Sequence, residues 1–148
     1  MFDTSFQGAD RFLSRSMQVL LSIANPRDRE LLAEQLRSAD LMVHTPEDSE
    51  SVPQFDLCVA DTATFPAVLD TIETRRAELG SIHLPVLLVL GPNDSEGSVR
   101  DHWEDIDDVL AVPTSGDVFH HRVEALLSRR RQSEQLALFA RAMDDAHT

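Results

Sequence analysis

The 148-residue sequence contains no lysine; all 13 of its basic side chains are arginine. That absence excludes Schiff-base chemistry on a lysine amine, a P-loop lysine over nucleotide phosphates and any lysine general base. Tyrosine is also missing and there is a single cysteine, so no internal disulfide can form, and a lone thiol suits a reducing compartment. No apolar run approaches the roughly 20 residues of a membrane-spanning helix, and the N-terminus lacks the basic-then-apolar order of a secretion signal. Cationic charge is scarce too. With 26 acidic residues the formal net charge is −13, which argues against sequence-independent nucleic-acid binding, an interaction carried by cations that neutralise phosphates.

What is present suffices for a folded domain. Hydrophobic residues make up 42% of the chain, enough for a core, and the length fits one domain with an appendage. The acidic residues spread from Asp3 to Asp145 without forming one block. That is the pattern of a solvated surface suited to high salt rather than of a patch built for one basic partner.

Residues 1–16 show no sustained periodicity and are read as an N-terminal arm. Residues 18–24 (QVLLSIA) form a short apolar run closed by Asn25-Pro26, which fits a strand buried on both faces. Pro26 suits the first turn of a helix and Asn25 its cap; Leu31, Leu32, Gln35 and Leu36 then give a core-facing stripe. Residues 41–44 predict a second strand, 45–54 a polar loop, and 55–60 a third strand ending at Asp61. Val68, Leu69, Ile72 and Leu79 mark a helix that stops near Gly80, and residues 85–90 predict a fourth strand before the turn Gly91-Pro92-Asn93. Val99, Trp103 and Ile106 predict a further helix in an acidic segment, and residues 109–112 a fifth strand closed by Pro113. A long helix starts at Asp117, with Val118, Val123, Leu126 and Leu127 on its inner side. Five apolar strands alternating with helices predict an α/β domain over residues 17–128: a flavodoxin-like, doubly wound, five-stranded parallel sheet with an extended C-terminal helix. Chemistry in such sheets gathers beyond the carboxyl ends of the strands.

Four stretches together resemble the response-regulator receiver domain over residues 17–128: the strand FDLCVAD ending at Asp61, the strand PVLLVL ending at Leu90, the stretch DVLAVP ending at Pro113 with its following helix, and Asn25-Pro26 after the first strand. The resemblance implies a signal-transduction module of a two-component system or phosphorelay, and it points to Asp61 as the phosphoryl acceptor. It also implies Mg²⁺ held by that aspartate and an acidic pair before the first helix, a lysine after the fifth strand and a switch hydroxyl after the fourth. Here the paired positions are Ile23 and Ala24, with Asn25 next; the lysine position is Val112, before Pro113; the hydroxyl position is Leu90; and Pro66 comes one residue later than the receiver pattern places it. Magnesium needs hard oxygen ligands. Phosphoryl transfer to a carboxylate needs metal and cations to offset charge, one such donor being worth about 2.7–4 kcal/mol. The chain is therefore similar to a degenerate, pseudo-receiver type: no enzyme, no efficient phosphorylation, no cofactor and at most weak Mg²⁺ binding. Two alternatives stand beside it, a phosphorelay receiver that accepts a phosphoryl group on Asp61 and a small-ligand binder on the same fold. The apolar rim of Ile23, Ala24, Leu90 and Val112 speaks against phosphate for the latter.

Other chemistry is weakly supported. The acids Asp101, Glu104 and Asp105 offer at best a loose divalent site, and an exposed acidic helix face explains them better. Trp103 is a candidate interaction residue. His120 and His121 diverge by about 100° on a helix and cannot share a metal; His44 and His83 stand at strand borders. Cys58 reads as a buried thiol, and Ser22 and Ser115 show no nucleophile-elbow pattern.

Past Leu127 the helical pattern continues through Arg129-Arg130-Arg131 with no Gly or Pro, and Leu136, Phe139, Ala140 and Met143 follow at i, i+3, i+4 and i+7. Such a stripe needs a partner to pack on. Residues 129–148 are read as a helical connector, and residues 138–146 resemble the short helix that opens PAS-type sensor domains. The sequence thus predicts the N-terminal module of a multidomain sensor or regulator of a halophile, cytoplasmic, with other signalling domains or a histidine kinase as partners. Leu136, Phe139 and Met143 are the candidate homodimer seam; no direct nucleic-acid binding and no membrane insertion are expected.

Overall fold

The structure is a computed structural model and describes residues 16–46, 54–94 and 96–146. The predicted arm, most of the polar loop before the third strand and the inward placement of Val99 lie outside the described residues. The elements are β1 (Gln18–Ser22), α1 (Pro26–Ser38), β2 (Met42–His44), β3 (Leu57–Asp61), α2 (Phe65–Leu79), β4 (Val86–Leu90), a 3-10 segment (Glu96–Asp105), β5 (Asp108–Ala111) and α3 (Gly116–Ala146). The strands form one sheet in the order β2-β1-β3-β4-β5. Every neighbouring pair is parallel, with Ser22 opposite Ala60, Asp61 opposite Val89 and Leu90 opposite Ala111. The flavodoxin-like sheet and the long last helix are as the sequence predicts.

The strands are almost wholly apolar because both sheet faces are covered. Val19, Leu21, Leu57, Val59, Leu87 and Val89 pack against Leu32 and Leu36 of α1 and Phe119, Val123 and Leu126 of α3. Their alternates Leu20, Cys58, Ala60, Val86 and Leu88 pack against Phe65, Val68 and Ile72 of α2. Successive strand side chains point to opposite faces, so a continuous apolar run supplies two cores at once. Asn25 starts α1 as foreseen: its Oδ1 accepts from the N–H groups of Arg27 (2.9 Å) and Asp28 (3.1 Å), with Pro26 in the first turn. Gly80 ends α2 with φ +63°, a backbone region that L side chains rarely adopt.

Three local expectations are corrected. The segment around Trp103 is a 3-10 helix interrupted at His102 (φ −118°, ψ 15°) rather than a regular α-helix; like charges at i, i+3 and i+4 (Asp101, Glu104, Asp105) disfavour the α geometry. Leu31 and Val118, read as core-facing, are exposed, while the adjoining Leu32 and Phe119 are buried. A helix turns by about 100° per residue, so the direction in which the sheet lies decides the outcome: Leu32 and Phe119 point to it and Leu31 and Val118 away, whereas Leu126 and Leu127 flank it and are both buried. No helix among the described residues is long and apolar enough to cross a membrane.

Candidate functional site

The carboxyl edge of the sheet is organised around Asp61, which is half-buried at the end of β3. Its Oδ2 accepts from the Ala24 backbone N–H at 2.8 Å, across the gap to the loop after β1. Its Oδ1 accepts from the Thr64 N–H at 2.8 Å and lies 2.8 Å from the Thr64 hydroxyl. That hydroxyl also lies within bonding range of the Ser22 carbonyl oxygen, so its one proton is shared between two acceptors at the ends of β1 and β3. Both carboxylate oxygens are thus engaged, and the group ties the β1–α1 loop to the start of α2. Thr64 carries no signal in the sequence beyond lying three residues after Asp61, the spacing at which an aspartate side chain commonly bonds a following backbone N–H.

The receiver-pattern positions gather at this edge with their side chains turned to other tasks. Ile23 is buried in the α1-side core, and its carbonyl accepts from Arg29 Nη1 at 3.2 Å. Ala24 is exposed and contributes its backbone N–H; the Asn25 amide is occupied as the helix cap. Leu90 is buried in the α2-side core, and Val112 packs partly buried against the α1 side. The peptide bond from Val112 to the exposed Pro113 is cis. In the turn after β4, Asp94 Oδ2 accepts from the Gly91 N–H at 2.7 Å.

At the opposite, amino edge of the sheet lies a second carboxylate that sequence reading missed. Asp56 and Arg130 form an ion pair at 3.1 Å with side chains 0% and 1% exposed. Arg130 also donates to the His83 carbonyl (3.0 Å) and to Glu134 (2.7 Å), and Asp56 Oδ2 accepts from the Gln18 N–H at 2.8 Å. Ser133 Oγ accepts from the His83 N–H at 2.9 Å. The body of the domain therefore holds α3 as far as Ser133. Beyond it the stripe emerges into solvent, with Leu136 70% and Phe139 66% exposed and Met143 exposed as well. Among three consecutive arginines nothing in the local sequence marks the middle one; its burial depends on the helix rotation that Leu126 and Leu127 set.

The remaining candidates disperse. Trp103 is 46% exposed, beside a shallow hollow lined by Ile106 and Asp108. Asp105 is held by Arg76 (3.2 Å), Asp107 by His83 (3.2 Å), and Asp108 by Arg122 (2.7 Å). Among the described residues no group of three or more His, Cys, Asp or Glu side chains stands at metal-binding spacing. His120 Nε2 bonds the Gln35 carbonyl (3.0 Å), whereas His121 is exposed; His44 bonds Gln18 Oε1 at 3.0 Å. Ser22 is buried, and Ser115 Oγ accepts from the Val118 N–H. Cys58 is fully buried, and that burial pushes its thiol pKa up to about 12.

The fold is that of response-regulator receiver domains. The structure is similar to NtrX from Brucella abortus, determined with ADP, with a TM-score of 0.68 at 20% identity over 84% of this chain and 29% of that one. It is also similar to the E. coli RcsC C-terminus, which holds a linker region and a phosphoreceiver domain (TM-score 0.60, 24% identity, 82% of this chain and 50% of that one). A putative response regulator from Chloroflexus aurantiacus gives a TM-score of 0.59 at 20% identity, covering 77% of this chain and 99% of that one. The chain thus spans half or less of the first two proteins. No protein-family model and no curated protein matches its sequence.

Proposed function

We propose that the chain is a receiver-like signal-transduction module of the pseudo-receiver type, which acts through protein–protein contacts and is not an enzyme. The observation that carries this reading is the state of the Asp61 carboxylate, bonded through both oxygens to Ala24, Thr64 N–H and Thr64 Oγ1. A phosphoryl group on either oxygen removes an anionic acceptor from that clamp, and each hydrogen bond so lost at this half-exposed site costs about 0.5–1.5 kcal/mol. Nothing from the acidic-pair or lysine positions offsets the cost, because those positions hold Ile23, Ala24 and Val112. The donor set does not fit Mg²⁺: one carboxylate already bonded to three donors and one helix-capping amide fall short of an octahedral oxygen shell. Magnesium binding is accordingly weak or absent.

The half-buried place of Asp61 at the strand end favours one rival, a phosphorelay receiver with Asp61 as acceptor. Incubation with acetyl phosphate and Mg²⁺, read by intact mass, separates the two. The pseudo-receiver reading expects no added phosphoryl mass at any salt concentration; an acid-labile gain that disappears in Asp61→Asn overturns it.

Signal leaves the module through α3 in this reading. The exposed stripe of Leu136, Phe139 and Met143 forms a homodimer seam or the root of a following sensor domain of PAS type, and Trp103 offers a second contact for a signalling domain or kinase. The Leu136→Asp/Phe139→Asp double variant turns dimers into monomers in light scattering; an unchanged mass removes the helix as the seam. The net charge of −13 supports a cytoplasmic protein of a salt-rich cell without affinity for nucleic acid.

A further inference from the structure

We propose that the groove at the amino edge of the sheet, between α2 and the outer part of α3, binds a small amphiphilic monocarboxylate. Its centre is Arg75, whose side chain is only 8% exposed. Arg75 Nε donates to the Phe55 carbonyl at 3.1 Å and Nη1 to Glu78 at 3.3 Å. Its Nη2 has no acceptor among the described residues. A guanidinium presents five donors in a rigid fork, and one kept this far from water with both N–H groups of Nη2 unused is a built anion acceptor.

The surroundings decide which anion. Arg75 shares the lining with Arg130 and Arg141, and the walls are Leu79, Ile82 and Leu138. Arg141 is exposed and has no ion-pair partner among the described residues. Arg130 is already held by Asp56, Glu134 and the His83 carbonyl, so Arg75 Nη2 and the exposed Arg141 are the cationic donors this hollow offers. Glu134 lies in the same lining, bonded to Arg130, and Glu78 stands on Arg75. These two carboxylates penalise a doubly charged phosphate more than a singly charged carboxylate, whose one charge Arg75 Nη2 and Arg141 can meet. The apolar walls take a hydrocarbon body. The groove holds about 310 Å³, near the lower end of the roughly 300–1,000 Å³ of ligand pockets, which fits a small molecule.

One wall belongs to α2 and the other to α3 beyond Arg130, so a bound molecule bridges the domain body and the outgoing helix. This site lies at the edge opposite Asp61 and stands independently of the pseudo-receiver reading.

The probe is octanoate, titrated calorimetrically into the full chain at low salt, where exposed charges are least screened. Octylammonium, 1-octanol and inorganic phosphate form the comparison arms. Saturable octanoate binding is expected, with at least about fivefold weaker affinity for each comparison compound and for the exposed variants Arg141→Ser and Leu138→Ser. Arg75→Gln, checked for folding by circular dichroism, is expected to weaken binding further. The proposal is overturned if octanoate does not saturate below about 10 mM, if octylammonium or octanol binds as well, or if Arg141→Ser and Leu138→Ser bind octanoate like the unmodified chain.

Discussion

Replacing Arg130 with methionine keeps a long unbranched side chain at the same place and removes the guanidinium that joins α3 to the amino edge of the sheet. Three hydrogen bonds go with it, to Asp56, Glu134 and the His83 carbonyl. Hydrogen bonds to charged groups contribute about 1.5–3 kcal/mol each, but the guanidinium is desolvated to make them. Removing one member of a buried ion pair costs about 3–5 kcal/mol in net terms, because the other charge stays buried. With Asp56 and Arg130 at 0% and 1% exposure, Arg130→Met belongs at that level. For a chain of this size that loss lowers the melting temperature by about 6–20 °C. Urea unfolding of Arg130→Met, Asp56→Asn and the double variant gives the coupling between them directly. Arg131, the exposed neighbour, provides the control: Arg131→Met is expected within about 0.5 kcal/mol of the parent. Amide exchange over residues 131–146 should quicken in Arg130→Met, since the helix loses its last deep anchor. A loss below about 1 kcal/mol, the level of a solvent-exposed pair, refutes the reasoning.

Asp61→Asn sets an amide NH₂ against N–H donors on one side of the clamp, with an expected loss of about 1–3 kcal/mol in the same urea assay; unchanged stability contradicts the structural role. Ile23→Asp, which installs an acid at one acidic-pair position, places a carboxylate in the α1-side core and is expected to destabilise by about 3 kcal/mol or more, so a variant as stable as the parent denies the burial of Ile23. Cys58 is expected to react with Ellman's reagent only after unfolding, and rapid reaction of the native chain at pH 8 rules out its burial. Because burial raises the folded thiol pKa from 9.0 to about 12, the unfolded chain loses the proton first; Cys58 therefore weakens stability as pH rises from about 9 towards 12, and Cys58→Ala should flatten that alkaline slope.

The alternation of elements was legible because it rests on local pattern. Continuous apolar runs such as 86–90 specify strands covered on both faces, and Asn25-Pro26 and Gly80 specify helix limits through capping and φ preference. The same local logic failed at Leu31 and Val118, whose apolar side chains give no local sign that the sheet lies on the side of Leu32 and Phe119, and at the 3-10 segment, where charge repulsion overrode an apolar spacing. Asp61 was legible as a strand-end carboxylate. Its bonding was not, because Ala24 stands 37 residues away and reaches it only after β1 and β3 pair.

Composition and periodicity alone thus determined the parallel α/β sheet, its five strands and the long last helix, since each is a property of single residues or of neighbours within a few turns. Tertiary structure decided which charges became architecture. Asp56 and Arg130 meet across 74 positions, and Arg75 turns inward from α2 to the Phe55 carbonyl, because strand order and helix rotation bring distant side chains together in a low-dielectric interior where a charge must find a partner.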